Sequence, residues 1–163
     1  MRKAAVLMGA VALVFGATNL SAQGKNFAGT WTVVADPAAP APTPGRGGGG
    51  RGLGQGGTIT QDAKTVNVTR TTQNGEIKMV YNLDGSESKN TLTMGGNAVE
   101  QTAKTKWDGD KFVVTTTTNF NGNASESTMA MWLDASGQLV VESTGAGRGG
   151  GPPTTTKMTY KKS

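Results

Sequence analysis

Six turn signals at near-regular spacing constrain this chain more than any other feature. They are Asn74-Gly75, Asp84-Gly85, Gly95-Gly96-Asn97, Asp108-Gly109, Asn121-Gly122 and Ser136-Gly137. Asn-Gly and Asp-Gly pairs favour the primed turns, whose central residues need positive φ and whose twist matches that of the flanking strands. Gaps of roughly ten to fifteen residues leave room for one strand between consecutive turns, the pattern of a meander of hairpins.

The segments between the turns alternate as half-buried strands do. Val66 and Val68 are separated by Thr65, Asn67 and Thr69, and Ile77, Met79 and Tyr81 share one face against Lys78 and Asn82. From Ala98 to Trp107 one face carries Val99, Gln101, Ala103, Thr105 and Trp107, and the other carries Glu100, Thr102, Lys104 and Lys106. Phe112, Val114, Thr116, Thr118 and Phe120 form a further face, followed by Met129, Met131 and Leu133, then Leu139 with Val141, then Met158 with Tyr160. The abundance of Thr suits strands and works against long helices. With a first strand around Trp31, nine or ten strands result. A sheet of that size built from neighbouring hairpins must curl, split or close, and closure removes its edges. The expected fold is all-β, an antiparallel up-and-down β-barrel of about eight to ten strands, with an open sandwich as the alternative.

The chain begins with the layout of an export signal. Arg2 and Lys3 precede an uncharged apolar run from Ala4 to Ala17, and Ser21-Ala22 offers small side chains for cleavage after Ala22. The run is shorter than the roughly 20 residues of a membrane span. Residues 1–22 are therefore expected to be a signal peptide, and 23–163 a single soluble domain, exported to the periplasm or secreted. The chain has no Cys, so no disulfide or lipidated thiol anchors such a domain. Losing Arg2 and Lys3 takes the net charge from +5 to about +3, and the remaining cations are dispersed, unlike a nucleic-acid footprint. Two low-complexity segments interrupt the pattern: a Pro/Gly-rich insert at 37–57, expected to be disordered, and a Gly-rich loop at 145–153. Neither holds the Gly-Lys-Ser/Thr ending of a phosphate-cradling loop.

Phe27-Ala28-Gly29-Thr30-Trp31 reads F-x-G-x-W, and the chain closes on Met158-Thr159-Tyr160-Lys161-Lys162. The first resembles the opening strand of the lipocalin and fatty-acid-binding protein superfamily, and the second its final strand. Trp107-Asp108-Gly109-Asp110-Lys111-Phe112 is similar to an internal hairpin of the fatty-acid-binding branch. The whole looks like bacterial exported lipocalin-like domain proteins, in which Gly-rich inserts follow the first strand. The resemblance implies a barrel with Trp31 plugging one end, Gly29 allowing close approach, and Tyr160 on the last strand. These three are expected to be structural. The resemblance also marks a departure. The relatives' carboxylate-clamping Arg, two residues before the Tyr, is here Met158, and Lys157 falls on the opposite strand face.

The residues argue against catalysis. Without His or Cys the chain lacks the commonest general base, the thiol nucleophile and the zinc-thiolate ligand. Asp84, Asp108, Asp110 and Asp134 fall in turns, where local hydrogen bonding explains them. Asp108-x-Asp110 is the nearest approach to a calcium pair, and a turn accounts for it without metal. No enzyme activity, cofactor or metal is expected. Binding remains. The inferred inner faces mix Met79, Met94, Val99, Phe112, Met129 and Met131 with Gln101, Thr105, Thr116 and Thr118, and inward polar groups need partners or water. The leading expectation is a binding protein for a small, largely apolar, uncharged ligand. Tyr81, Phe112, Met129, Met131 and Met158 would line the site, Gln101 and Thr116 would offer hydrogen bonds, and Trp107 would lie at its edge. The alternative is a filled barrel acting as an envelope or interaction module through an outward Trp132 and the Gly-rich loops.

Overall fold

The computed structural model describes residues 25–34, 52–72, 75–94, 96–120, 122–146 and 151–163. The expected signal at 1–22 and most of the insert at 37–57 lie outside them. Ten strands are formed: β1 (Gly29–Val33), β2 (Gly56–Gln61), β3 (Thr65–Thr72), β4 (Gly75–Asn82), β5 (Ser88–Met94), β6 (Asn97–Asp108), β7 (Lys111–Phe120), β8 (Asn123–Leu133), β9 (Leu139–Gly145) and β10 (Thr154–Lys162). They lie in the order β4-β3-β2-β1-β10-β9-β8-β7-β6-β5, so every sequence neighbour except β4 and β5 is hydrogen-bonded, and every pair is antiparallel. The result is a nearly closed, ten-stranded up-and-down barrel, compatible with a lipocalin-like fold. The sandwich alternative is excluded by this single continuous sheet. The first strand meets the last, with Trp31 opposite Lys162 and Val33 opposite Tyr160.

The glycine of each of the six turn signals has a positive φ, between 59° at Gly109 and 109° at Gly75, as primed and left-handed turns require. Alternation then sorts the strands into an outer face and a core. Val66 and Val68, Met79 and Tyr81, Phe112 and Val114, Met131, Leu139 with Val141, and Tyr160 are all buried. Trp31 is buried on β1 and its indole N–H donates to the Phe27 carbonyl at 2.8 Å. Gly29 faces the Lys162 side chain so closely that a Cβ there would lie 2.4 Å from Lys162 Cε.

The insert needs a correction at its C-terminal end. Gly56 and Gly57 open β2, and Leu53 is fully buried in the core. Composition argued for disorder through Gly57, but one Leu among glycines is enough to seat a segment when a barrel offers it an apolar interior. Gly52 and Gly54, with φ of 65° and 62°, give the tight backbone that turns Leu53 inward, and the Gly56 N–H closes the loop on the Leu53 carbonyl at 3.1 Å.

The β4–β5 seam is closed by side chains. Asn90 on β5, only 6% exposed, accepts from the Val80 N–H through Oδ1 at 2.7 Å and donates from Nδ2 to the Val80 carbonyl at 3.1 Å. Its amide thus reproduces both hydrogen bonds of a peptide in a ladder. Thr105 Oγ1 donates to the Asn82 carbonyl nearby, and Asn82 Nδ2 donates across the turn to Ser86 Oγ and the Glu87 carbonyl. Asn90→Ala strips Val80 of both partners and should lower the unfolding free energy by about 1–3 kcal/mol. Thr91→Ala, on the exposed face of β5, should stay within about 0.5 kcal/mol of the parent. Urea midpoints that fail to separate the two variants would refute the seam role.

Candidate functional site

The barrel interior has two chemically different halves. One end is sealed by aromatic rings. Phe27 stacks on Trp107 at 5.9 Å and lies 6.3 Å from Phe112, and Trp107 lies 5.1 Å from Phe112. Gln61 holds this plug in register by accepting from the Phe27 N–H at 2.9 Å. Toward the other end the wall turns polar. Arg70 continues the inward face of β3 after Val66 and Val68, with Ser143 on β9 and Gln101 on β6 also buried.

The Gly52–Gly54 loop lies across this polar half. A Cβ at Gly52 would lie 3.4 Å from Val141 Cγ1, 3.6 Å from Ser143 Oγ and 4.0 Å from the Tyr160 hydroxyl, and one at Gly54 would lie 3.6 Å from Arg70 Nη1. The Tyr160 hydroxyl donates to the Gly54 carbonyl at 3.0 Å. Arg70, Tyr160 and the loop backbone therefore converge at one place. Burial disfavours the charged form of Arg70, an effect the nearby Tyr81 and Tyr160 hydroxyls oppose. Burial likewise raises both tyrosines, Tyr160 to about 12, and Arg70 only partly offsets it.

All eight residues expected to line a site turn inward. Tyr81, Gln101, Phe112, Thr116, Met129 and Met131 are buried, while Trp107 and Met158 are half-buried and pack on the core. Trp107, Phe112 and Met131 are brought together, since Phe112 is the ladder partner of both Trp107 and Met131. Gln101 instead reaches Thr118, donating from Nε2 at 3.2 Å. The side chains of Met94 and Phe120 lie outside the described residues. Arg70, Asn90, Leu53 and Phe27 were not among the expected site residues. Arg70 carried a signal: it continues the two-residue spacing of Val66 and Val68 and so shares their face.

A cleft of about 880 Å3 lies at the aromatic end, where the β2–β3 and β4–β5 turns meet Asn26, Gln61 and Trp107. Its carboxylates serve their own turns. Asp62 accepts from the Lys64 and Thr65 N–H groups, both at 2.7 Å, and Asp84 from Ser86, which holds both carboxyls below the usual range. Asp110 pairs with Lys25 at 3.5 Å on the surface, and among the described residues no group of three His, Cys, Asp or Glu is placed to hold a metal. No helix among the described residues is long and apolar enough to cross a membrane. Trp132 faces outward beside Val140, its ring covered by the Lys111 ammonium at 4.6 Å and that of Lys157 at 5.5 Å. Compared with known proteins, the chain matches no family model and no curated sequence.

The chain has only two tyrosines, and both are in the core. Their raised pKa values mean that above about pH 10 the unfolded chain releases protons that the folded chain keeps. Stability is unaffected below that pH and falls as the pH rises toward 12. An ultraviolet titration should show no phenolate band near pH 10 in the folded protein. The band should emerge together with loss of near-ultraviolet dichroism, whereas free titration of either tyrosine at pH 10 would contradict this burial.

Proposed function

We propose that this protein is an exported, non-enzymatic binding protein that takes a small, largely apolar molecule into its barrel. The observation that carries this reading is a set of three buried polar atoms without partners among the described residues, Arg70 Nε, Gln101 Oε1 and Trp107 Nε1. Gln101, 5% exposed, has no donor to its Oε1, and Arg70 has none of the acceptors its Nε requires. Leaving such atoms unmet costs about 1–3 kcal/mol each, and an apolar side chain of similar shape would avoid the cost. Their retention in a Met-rich, deformable wall fits an interior that is completed by an occupant. The Leu53 loop would then be the element that yields when the occupant enters, being a short glycine-flanked segment rather than a strand. Export rests on the leader-like residues 1–22, and the absence of catalytic activity on the residue types the chain lacks.

A second reading has one observation in its favour. Trp132, an aromatic with a polar handle of the kind enriched at interfaces, lies on the outer face beside Val140. Lys111 and Lys157 already cover that ring, so the interior is the better candidate.

Native mass spectrometry of protein purified from its own cells should show a bound small molecule that is released on denaturation. Gln101→Leu should unfold within about 1 kcal/mol of the parent, since it removes an unmet acceptor along with one hydrogen bond, yet retain several-fold less of that molecule. A parent protein of bare mass that also takes up no Nile red would leave the interaction module as the standing reading.

A further inference from the structure

We infer that the occupant carries an anionic group, a carboxylate or sulfonate on an apolar body, and that Arg70 receives it. This rests on the binding reading and changes the ligand class that the sequence suggested, which was uncharged.

Arg70 is the one buried cation among the described residues, at 8% exposure. The other buried polar residues are Ser88, Asn90, Gln101, Thr105, Thr116 and Ser143, all neutral. Among the described residues the single ion pair is Lys25 with Asp110, far from the interior and exposed. Among the described residues Arg70 makes no ion pair, and its Nε is both buried and unpartnered. A lysine so placed could lose its proton, but a guanidinium cannot, so a buried Arg keeps its charge and its need for an acceptor. The adjacent tyrosines do not supply the counter-charge, because burial holds them neutral.

The surroundings match what an anion needs. The guanidinium fork binds a planar two-oxygen group through two parallel hydrogen bonds. The Tyr160 hydroxyl, spent on the Gly54 carbonyl, sits at the same place and is a second donor that becomes available if the loop shifts. Val68 and Met79 are ladder partners beside Arg70 and supply the apolar wall beneath it.

The test uses the full chain and two dyes, anionic anilinonaphthalene sulfonate and neutral Nile red. Arg70→Met should bind the sulfonate at least about tenfold more weakly, the usual worth of a charge-assisted hydrogen bond, and bind Nile red within about twofold of the parent. Its urea midpoint should equal or exceed the parent's, because an unpaired buried charge has been removed. A residue that merely braces the fold would instead lose stability and both dyes together. The parent alone gives a readout that needs no variant: naphthoate should displace the sulfonate dye at least about tenfold better than its methyl ester. Equal displacement, or Nile red uptake with no preference for the sulfonate over Arg70→Met, overturns the anion site and leaves the binding reading standing. Failure of the parent to take up either dye overturns both.

Discussion

Closure of the sheet on itself is the constraint from which the rest of this structure follows. Ten antiparallel strands leave two edges, and an exposed edge is a row of unpaired N–H and C=O groups. Nine ladders run unbroken from β4 round to β5. The remaining gap is bridged by the Asn90 amide acting as a surrogate peptide against Val80. A side chain can do this at one point where a strand would have to run alongside for its full length. The seam is accordingly the most economical break in the wall and the place where it has fewest bonds.

A closed wall defines an inside, and the inside is not uniform. Phe27, Trp107 and Phe112 fill one end with rings, which bury large apolar area at small entropic cost. Elsewhere the Arg70 guanidinium, the Tyr160 phenol and the Ser143 hydroxyl meet a glycine loop that contributes a single Leu. Polar groups in low dielectric are strongly stabilised when paired and costly when not. Aromatic packing at one end and the Arg70–Tyr160 cluster at the loop give the barrel a polarity along its axis, although one unmet polar atom, Trp107 Nε1, belongs to the aromatic end.

The outer face tells a plainer story. Thr and Lys dominate it, and the strands gain there from β-propensity and solvation rather than from a site. Trp132 is the exception, and its two lysine neighbours shield it by cation–π contact and by their alkyl stems. Similarly, the turn carboxylates of Asp62, Asp84 and Asp134 are consumed by backbone N–H groups of their own turns.

Much of the fold was legible in the residues themselves. Glycines at the six turns and the two-residue alternation between them determine a hairpin meander, because both are local: a left-handed φ and a half-buried face need no distant partner to be recognised. The inward direction of Tyr81, Gln101, Phe112, Thr116, Met129 and Met131 followed from the same period. What tertiary structure alone decided was the fate of groups whose partners are far along the chain. Asn90 looks like any strand Asn until Val80 is placed across a seam. Leu53 reads as a lone apolar residue in a glycine tract until a barrel mouth receives it. Arg70 lies on an inward face by spacing, but only the assembled wall shows that, among the described residues, it has no ion-pair partner. Charge balance in an interior is a property of all the strands that enclose it, and no single segment of sequence contains it.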